Sequence, residues 1–177
     1  MKLRPNYLLY AMRLYDDTPQ VVLRNVISER QRLLAQVRHN RLVDRFFSSI
    51  AYSLGSWNGK FRKSQVVIDE VYVTMNERGR QFVVPIQAQE GMRQYDVAQT
   101  ERNMAWCRTK YPKLFCRPVS VQFVSPTEIA MFVFALCGGE IKVAEERHYE
   151  LVPAKSVTEE DLKNYSLKAA SDESCSV

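Results

Sequence analysis

The sequence predicts an α/β fold of the α+β kind, in which a mixed β-sheet is flanked by helices and further helices precede it. Two observations carry this. Apolar residues recur at helical spacing through roughly the first third of the 177-residue chain, and after residue 64 the pattern switches to β-branched, strand-like runs. A single helical stretch then interrupts the strands before three more follow, an order suited to a sheet covered by helices.

Thr18-Pro19 offers a cap and a first-turn proline, and Val22, Val26, Leu33 and Val37 follow at helical spacing, which predicts a helix over 19–38. Leu42, Val43, Phe46, Phe47, Ile50 and Leu54 predict a second helix, stopped by Gly55. The stretch 55–64 reads as a loop. Residues 66–73, apolar apart from Asp69 and Glu70, read as one strand; Asn76 to Gly79 is a turn, and Gln81 to Gln89 is the returning strand. Residues 92–111 read as a helix, and 114–124, 128–136 and 140–151 as strands. Thr158-Glu-Glu-Asp161 has a capping-box pattern that opens a short helix before a polar, mobile tail. The expected organisation is one domain over 1–155, with a helical front at 19–54 and a sheet core at 64–153, followed by a helix and tail at 156–177.

Composition narrows the function classes. No apolar run approaches the ~20 residues of a membrane span, and the opening residues lead into no hydrophobic signal core, so a soluble cytoplasmic protein without a membrane partner is expected. The four cysteines, Cys107, Cys116, Cys137 and Cys175, form no C-x-x-C pair and have no histidine at zinc-ligand spacing, which argues for incidental thiols. The net charge is +5 and uneven: residues 1–80 hold 14 Lys/Arg against 7 Asp/Glu, and residues 81–177 hold 11 against 13. The excess lies in Arg24, Arg30, Arg32, Arg38, Arg41 and Arg45, and in Lys60, Arg62 and Lys63. Such a face suits phosphates, and also suits an ordinary solvated helix surface.

Polar groups inside apolar strands call for a reason, because burying them unpaired is costly. Alternation puts Gln87 and Gln89 on one face of their strand, with Ile86 and Ala88 on the other, and a hairpin would bring Asp69 alongside. Either these groups form a site, or the two glutamines bond to backbone or to each other. An acid on one strand, a turn, and an acid-x-lysine triplet on the next strand followed by a helix is the layout of the PD-(D/E)XK nucleases. The blocks 68–73, 82–91, 115–118 and 146–153 together resemble bacterial endonuclease-like proteins of that superfamily, and the resemblance spans most of residues 20–153.

That resemblance implies a restriction-endonuclease-like sheet and Mg²⁺-dependent, or Mn²⁺-dependent, hydrolysis of DNA phosphodiesters. Asp69 would be the first metal-binding acid, Gln87 would stand in the second acid's place, Ala88 would supply a carbonyl, and Gln89 would stand where the lysine belongs. A neutral amide weakens a hard-cation site, and glutamine cannot supply the lysine's charge. The motif is thus degraded, and a nuclease-fold binding module without catalysis is the alternative. Glu70 points to the opposite face unless a bulge intervenes; Glu29 and Gln99 are possible accessory residues, and Arg38, Arg41, Lys60, Arg62 and Lys63 are the expected DNA contacts. A homodimer would suit the cutting of two antiparallel strands. His148 has no partner visible in sequence.

Overall fold

The computed structural model describes residues 5–91 and 95–163. It shows a mixed sheet with helices on both faces. Along the chain come β1 (Met12–Tyr15), α1 (Gln20–Asn25), α2 (Glu29–His39), α3 (Leu42–Phe47), β2 (Ala51–Ser53), β3 (Trp57–Phe61), β4 (Ser64–Ile68), β5 (Glu70–Met75), β6 (Gln81–Gln89), α4 (Val97–Lys110), β7 (Phe115–Cys116), β8 (Val119–Phe123), β9 (Glu128–Cys137) and β10 (Glu140–Val152). The main sheet runs β1-β10-β9-β8-β6-β5-β2 with β7 beside β6, and β3 and β4 form a separate two-stranded ribbon. The β6–β8 and β1–β10 pairs are parallel, and the other pairs along the main order are antiparallel. Among the described residues no helix is long and apolar enough to cross a membrane.

The helices divide the sheet's two faces. Leu33 and Val37 of α2 and Val43 and Phe46 of α3 pack on Val84, Ile86, Ala88, Met131, Val133 and Tyr149. On the other face Trp106 and Cys107 of α4 meet Val66, Ile68 and Val83, while Met104 meets Ala130, Phe132 and Phe134. Strand alternation assigns each residue to its helix layer. In β10 the alternation changes phase, because the register steps from Val143 opposite Phe134 to Glu145 opposite Val133, leaving Ala144 as the extra residue of a bulge.

The turn at 76–79, β6, β9 and β10 match the sequence reading closely; the expected strand over 114–124 is two, β7 and β8, parted at Arg117 and Pro118, and other elements differ as well. The predicted helix over 19–38 is two helices, because Val26 is extended and the Ser28 hydroxyl caps α2 by accepting the Gln31 N–H at 3.2 Å. The second helix ends at Ser48, in the left-handed region at φ 49°, and Ala51–Ser53 turns into a strand beside β5. Ile50 and Leu54, which extended the apparent helical pattern, are exposed. The expected loop over 55–64 contains β3, and the expected single strand over 66–73 breaks at Asp69 as the chain passes from the ribbon to the main sheet. β1 had no sequence signal. The capping box at Thr158 forms, with reciprocal bonds between Thr158 and Asp161, and the expected tail after residue 163 lies outside the described residues.

Candidate functional site

Asp69 occupies the gap where β4 leaves one sheet and β5 enters the other. Its N–H donates to the Ile86 carbonyl at 3.1 Å, which sets it beside β6. Its carboxylate then completes the pairing that the interrupted strand leaves open: Oδ2 accepts the Ala88 N–H at 2.7 Å. Oδ1 accepts two donors from Arg30 of α2, Nε at 2.8 Å and Nη2 at 2.5 Å. The Asp69 side chain is 9% exposed. Both oxygens are therefore committed to protein donors, one of them a cation.

Gln87 and Gln89 share the α4 face of β6, as alternation predicts, and lie opposite Ser120 and Gln122 of β8. Gln87 accepts a long bond from the Thr100 hydroxyl of α4 at 3.4 Å. No hydrogen bond joins either glutamine to Asp69 among the described residues. The fold thus brings the three onto adjacent segments, but the carboxylate engages Ala88 and Arg30 while Gln87 engages α4.

Glu70 lies on the opposite face from Gln87, as expected without a bulge. It is 1% exposed and its Oε1 accepts Arg38 Nε at 3.1 Å, Arg38 Nη2 at 2.8 Å and the Ser53 hydroxyl at 2.6 Å. Gln99 turns toward β4, accepting from Arg102 and donating to Asn103 and the Val67 carbonyl. Glu29 is exposed at the start of α2, where it lines a groove of about 610 Å³ with Leu23, Arg32 and Phe123.

These placements decide what the group can hold. A Mg²⁺ ligand set would have to displace Arg30, because a dication and a guanidinium compete for the same oxygen, and the neighbouring glutamines add no negative charge. Among the described residues no group of three His, Cys, Asp or Glu side chains could hold a metal ion. As arranged, the residues do not fit the ion.

The expected basic face divides in the same way. Arg30 and Arg38 pair with Asp69 and Glu70, and Arg41 pairs with Asp44. Lys60, Arg62 and Lys63 instead stand exposed at the tip of the β3–β4 ribbon, with no carboxylate partner among the described residues. Arg62 adopts φ 56° in that turn and lies over the Phe61 ring. The ribbon is moored by Trp57 on Trp106, with ring centroids 4.9 Å apart, and by Val66 and Ile68 in the core.

Sequence reasoning missed two features. His148, whose side chain is 0% exposed, lies between Glu128 at 2.6 Å from Nδ1 and Glu146 at 2.9 Å from Nε2. The pairing of β9 with β10 brings Glu128 near, and no sequence pattern announces that register. The second is Arg30 as the partner of Asp69, 39 residues away in the chain.

A scan against protein-family models and searches of curated proteins and of solved structures return no match to this chain. The fold itself is of the mixed α+β class.

Proposed function

We propose that this chain is a DNA-binding protein with a nuclease-like strand, turn, strand and helix arrangement, and that it holds the phosphate backbone through the β3–β4 ribbon. The ribbon tip carries the proposal: Lys60, Arg62 and Lys63 are exposed, lack a carboxylate partner among the described residues, and are held on a two-stranded element moored through Trp57, Val66 and Ile68. Residues 55–68 contain no acid. A two-stranded ribbon fits the major groove of B-DNA, about 12 Å wide, and cations at its tip can reach phosphates on either side. Arg38 and Arg41, expected from sequence to share this role, are held in ion pairs and contribute less free charge.

The test is a salt titration of duplex binding by fluorescence anisotropy. Each phosphate contact contributes about 0.9 to the slope of log K against log salt, so replacing Lys60, Arg62 and Lys63 together by glutamine should flatten it by about 2 to 3 units. An unchanged slope in the folded triple variant would remove the ribbon from the interface.

A second reading, metal-dependent phosphodiester hydrolysis, is favoured by one observation: Asp69 is bonded to β6 at Ala88, within the triplet where the PD-(D/E)XK layout puts its second acid and lysine. Its test is plasmid nicking with Mg²⁺, Mn²⁺ or EDTA by wild type, by Arg30→Met, which frees Asp69, and by Gln87→Glu/Gln89→Lys in the Arg30→Met background. Nicking that requires the ion and vanishes in Asp69→Ala would establish this reading; inactivity of all the folded variants would leave DNA binding alone.

A further inference from the structure

A second cationic feature lies away from both the ribbon and Asp69. Between the end of α3, the β5–β6 turn and the inner half of β10 is a cavity of about 230 Å³, lined in part by Phe46, Phe82, Asn76, Arg117, Arg147 and Glu145. Two guanidiniums lie against its phenyl rings: Arg117 over Phe82 with Cζ 5.2 Å from the ring centroid, and Arg147 over Phe46 at 5.0 Å. A guanidinium over a ring face keeps its charge, so what each can offer a ligand depends on its other partners.

The charges do not cancel. Arg147 donates from Nε to Glu145 Oε1 at 2.8 Å and from Nη1 to the Arg45 carbonyl at 3.5 Å, and its Nη2 lies 2.8 Å from the same Glu145 oxygen, so that pair is neutral overall. Arg117 has no carboxylate partner among the described residues, which leaves the cavity with one net positive charge. Asn76 spends its amide oxygen on the Arg80 N–H at 2.9 Å, so what remains of its amide is a donor. The cavity is thus equipped with donors and is smaller than the ~300–1,000 Å³ typical of sites for larger organic ligands.

The bulge at Ala144 puts Arg147 there. Val143 faces the α4 layer opposite Phe134; regular alternation would carry residues 145 and 147 onto that same face. The extra residue moves Glu145 opposite Val133 and Arg147 opposite Met131, on the face where Phe46 packs. Bulges commonly re-aim side chains in this way.

We propose that this cavity binds a phosphate group, with Arg117 as its uncompensated cation and the Arg147–Glu145 pair as the facing wall. Guanidinium forks match phosphate oxygens, and a group bearing close to two charges near pH 7 draws more from an uncompensated cation than a carboxylate does. The group could belong to free phosphate or to the 5′ end of a nucleic-acid strand, and the same chemistry serves both. The site does not depend on the ribbon reading, so it is tested in the background that lacks the ribbon cations.

In that background, inorganic phosphate is titrated and followed by two-dimensional amide NMR, and labelled single strands bearing a 5′-phosphate or a 5′-hydroxyl are compared by anisotropy. Saturable phosphate binding should weaken at least ~10-fold in Arg117→Gln and remain unchanged in Arg24→Gln, a control on α1 outside the cavity's lining. Arg117→Lys should fall between them, since it keeps the charge and loses the fork. Circular dichroism establishes that each variant is folded. Tighter binding of the 5′-phosphorylated strand assigns the site to strand ends, and equal binding of the two strands with intact phosphate binding assigns it to free phosphate. Absence of saturable phosphate binding together with no preference between strands would overturn the proposal, as would equal affinities of Arg117→Gln and Arg24→Gln.

Discussion

Replacing Asp69 by alanine separates a structural carboxylate from one kept for function. Two losses add. The Ala88 N–H, in a residue 3% exposed, is left without an acceptor, which costs about 1–3 kcal/mol. Arg30 loses its partner, but its side chain is 38% exposed and water can replace the bond, so this share is discounted to about 1 kcal/mol. The total is about 2–4 kcal/mol, or a fall in Tm of about 4–16 °C for a domain of this size. Asp69→Asn keeps an oxygen for Ala88 and should lose only ~1–2 kcal/mol, and Arg30→Met about 1 kcal/mol. Urea denaturation of these variants and of the Asp69→Ala/Arg30→Met double should give non-additivity of about 1 kcal/mol, the share that both single changes remove. The reasoning is refuted if Asp69→Ala is neutral or stabilising, the behaviour of an acid held at an energetic cost for function.

Acid sensitivity should report on Asp16. Burial opposes its charge, but bonds from Thr18, Asn40 and Gln36 outweigh this and hold its pKa below the ordinary value. Its contribution is therefore present above about pH 4 and lost as pH falls through the depressed folded value, so Asp16→Asn should flatten that limb of a stability–pH curve. The Cys107 thiol is pushed far above its usual range by its hydrogen bond with Cys116 and by burial. Alkylation mapped by mass spectrometry at neutral pH should accordingly mark the exposed Cys137 well before Cys107. His148→Leu should destabilise by about 2–4 kcal/mol, since it leaves Glu128 and Glu146 facing an apolar side chain, and Glu128→Gln/Glu146→Gln should recover part of the loss in thermal melts.

β6, β9 and β10 were legible in the sequence because their β-branched and aromatic runs are short and bounded by turn residues such as Asn76–Gly79 and Gly138–Gly139. β6 is the clearest case: its two glutamines fall on the face that alternation assigns them. Ile50 to Leu54 misled because a short apolar run satisfies helix and edge strand alike, and only pairing with β5 decides between them. β3 was concealed by glycine, asparagine and lysine, yet Trp57, Gly59 and Phe61 alternate with Asn58 and Lys60, a strand signal within a stretch read as loop. Of the candidate site, the adjacency of Asp69 to Gln87 was readable from the hairpin. The direction of its carboxylate was not, since that depends on Arg30 arriving from a helix far earlier in the chain. Nor could the cavity beside Arg117 be read, because it depends on the phase change in β10.

That phase change also governs which alterations in length β10 can absorb. Removing Ala144 alone would restore plain alternation and exchange the inward and outward sets at its junction with β9, so that either Glu145 and Arg147 or Val143 and Ile141 land on the wrong layer. Between Glu145 and Val152, inserting one residue would drive His148 toward the α2 side and Tyr149 and Leu151 toward the polar side, whereas inserting two would keep the order of faces and shift only the register. The Gly138-Gly139 turn, where both residues adopt positive φ and added atoms meet open space, lies outside this constraint. A library of single-residue insertions across 138–152 should therefore divide sharply: tolerance at the turn, and loss of folding from Glu145 onward.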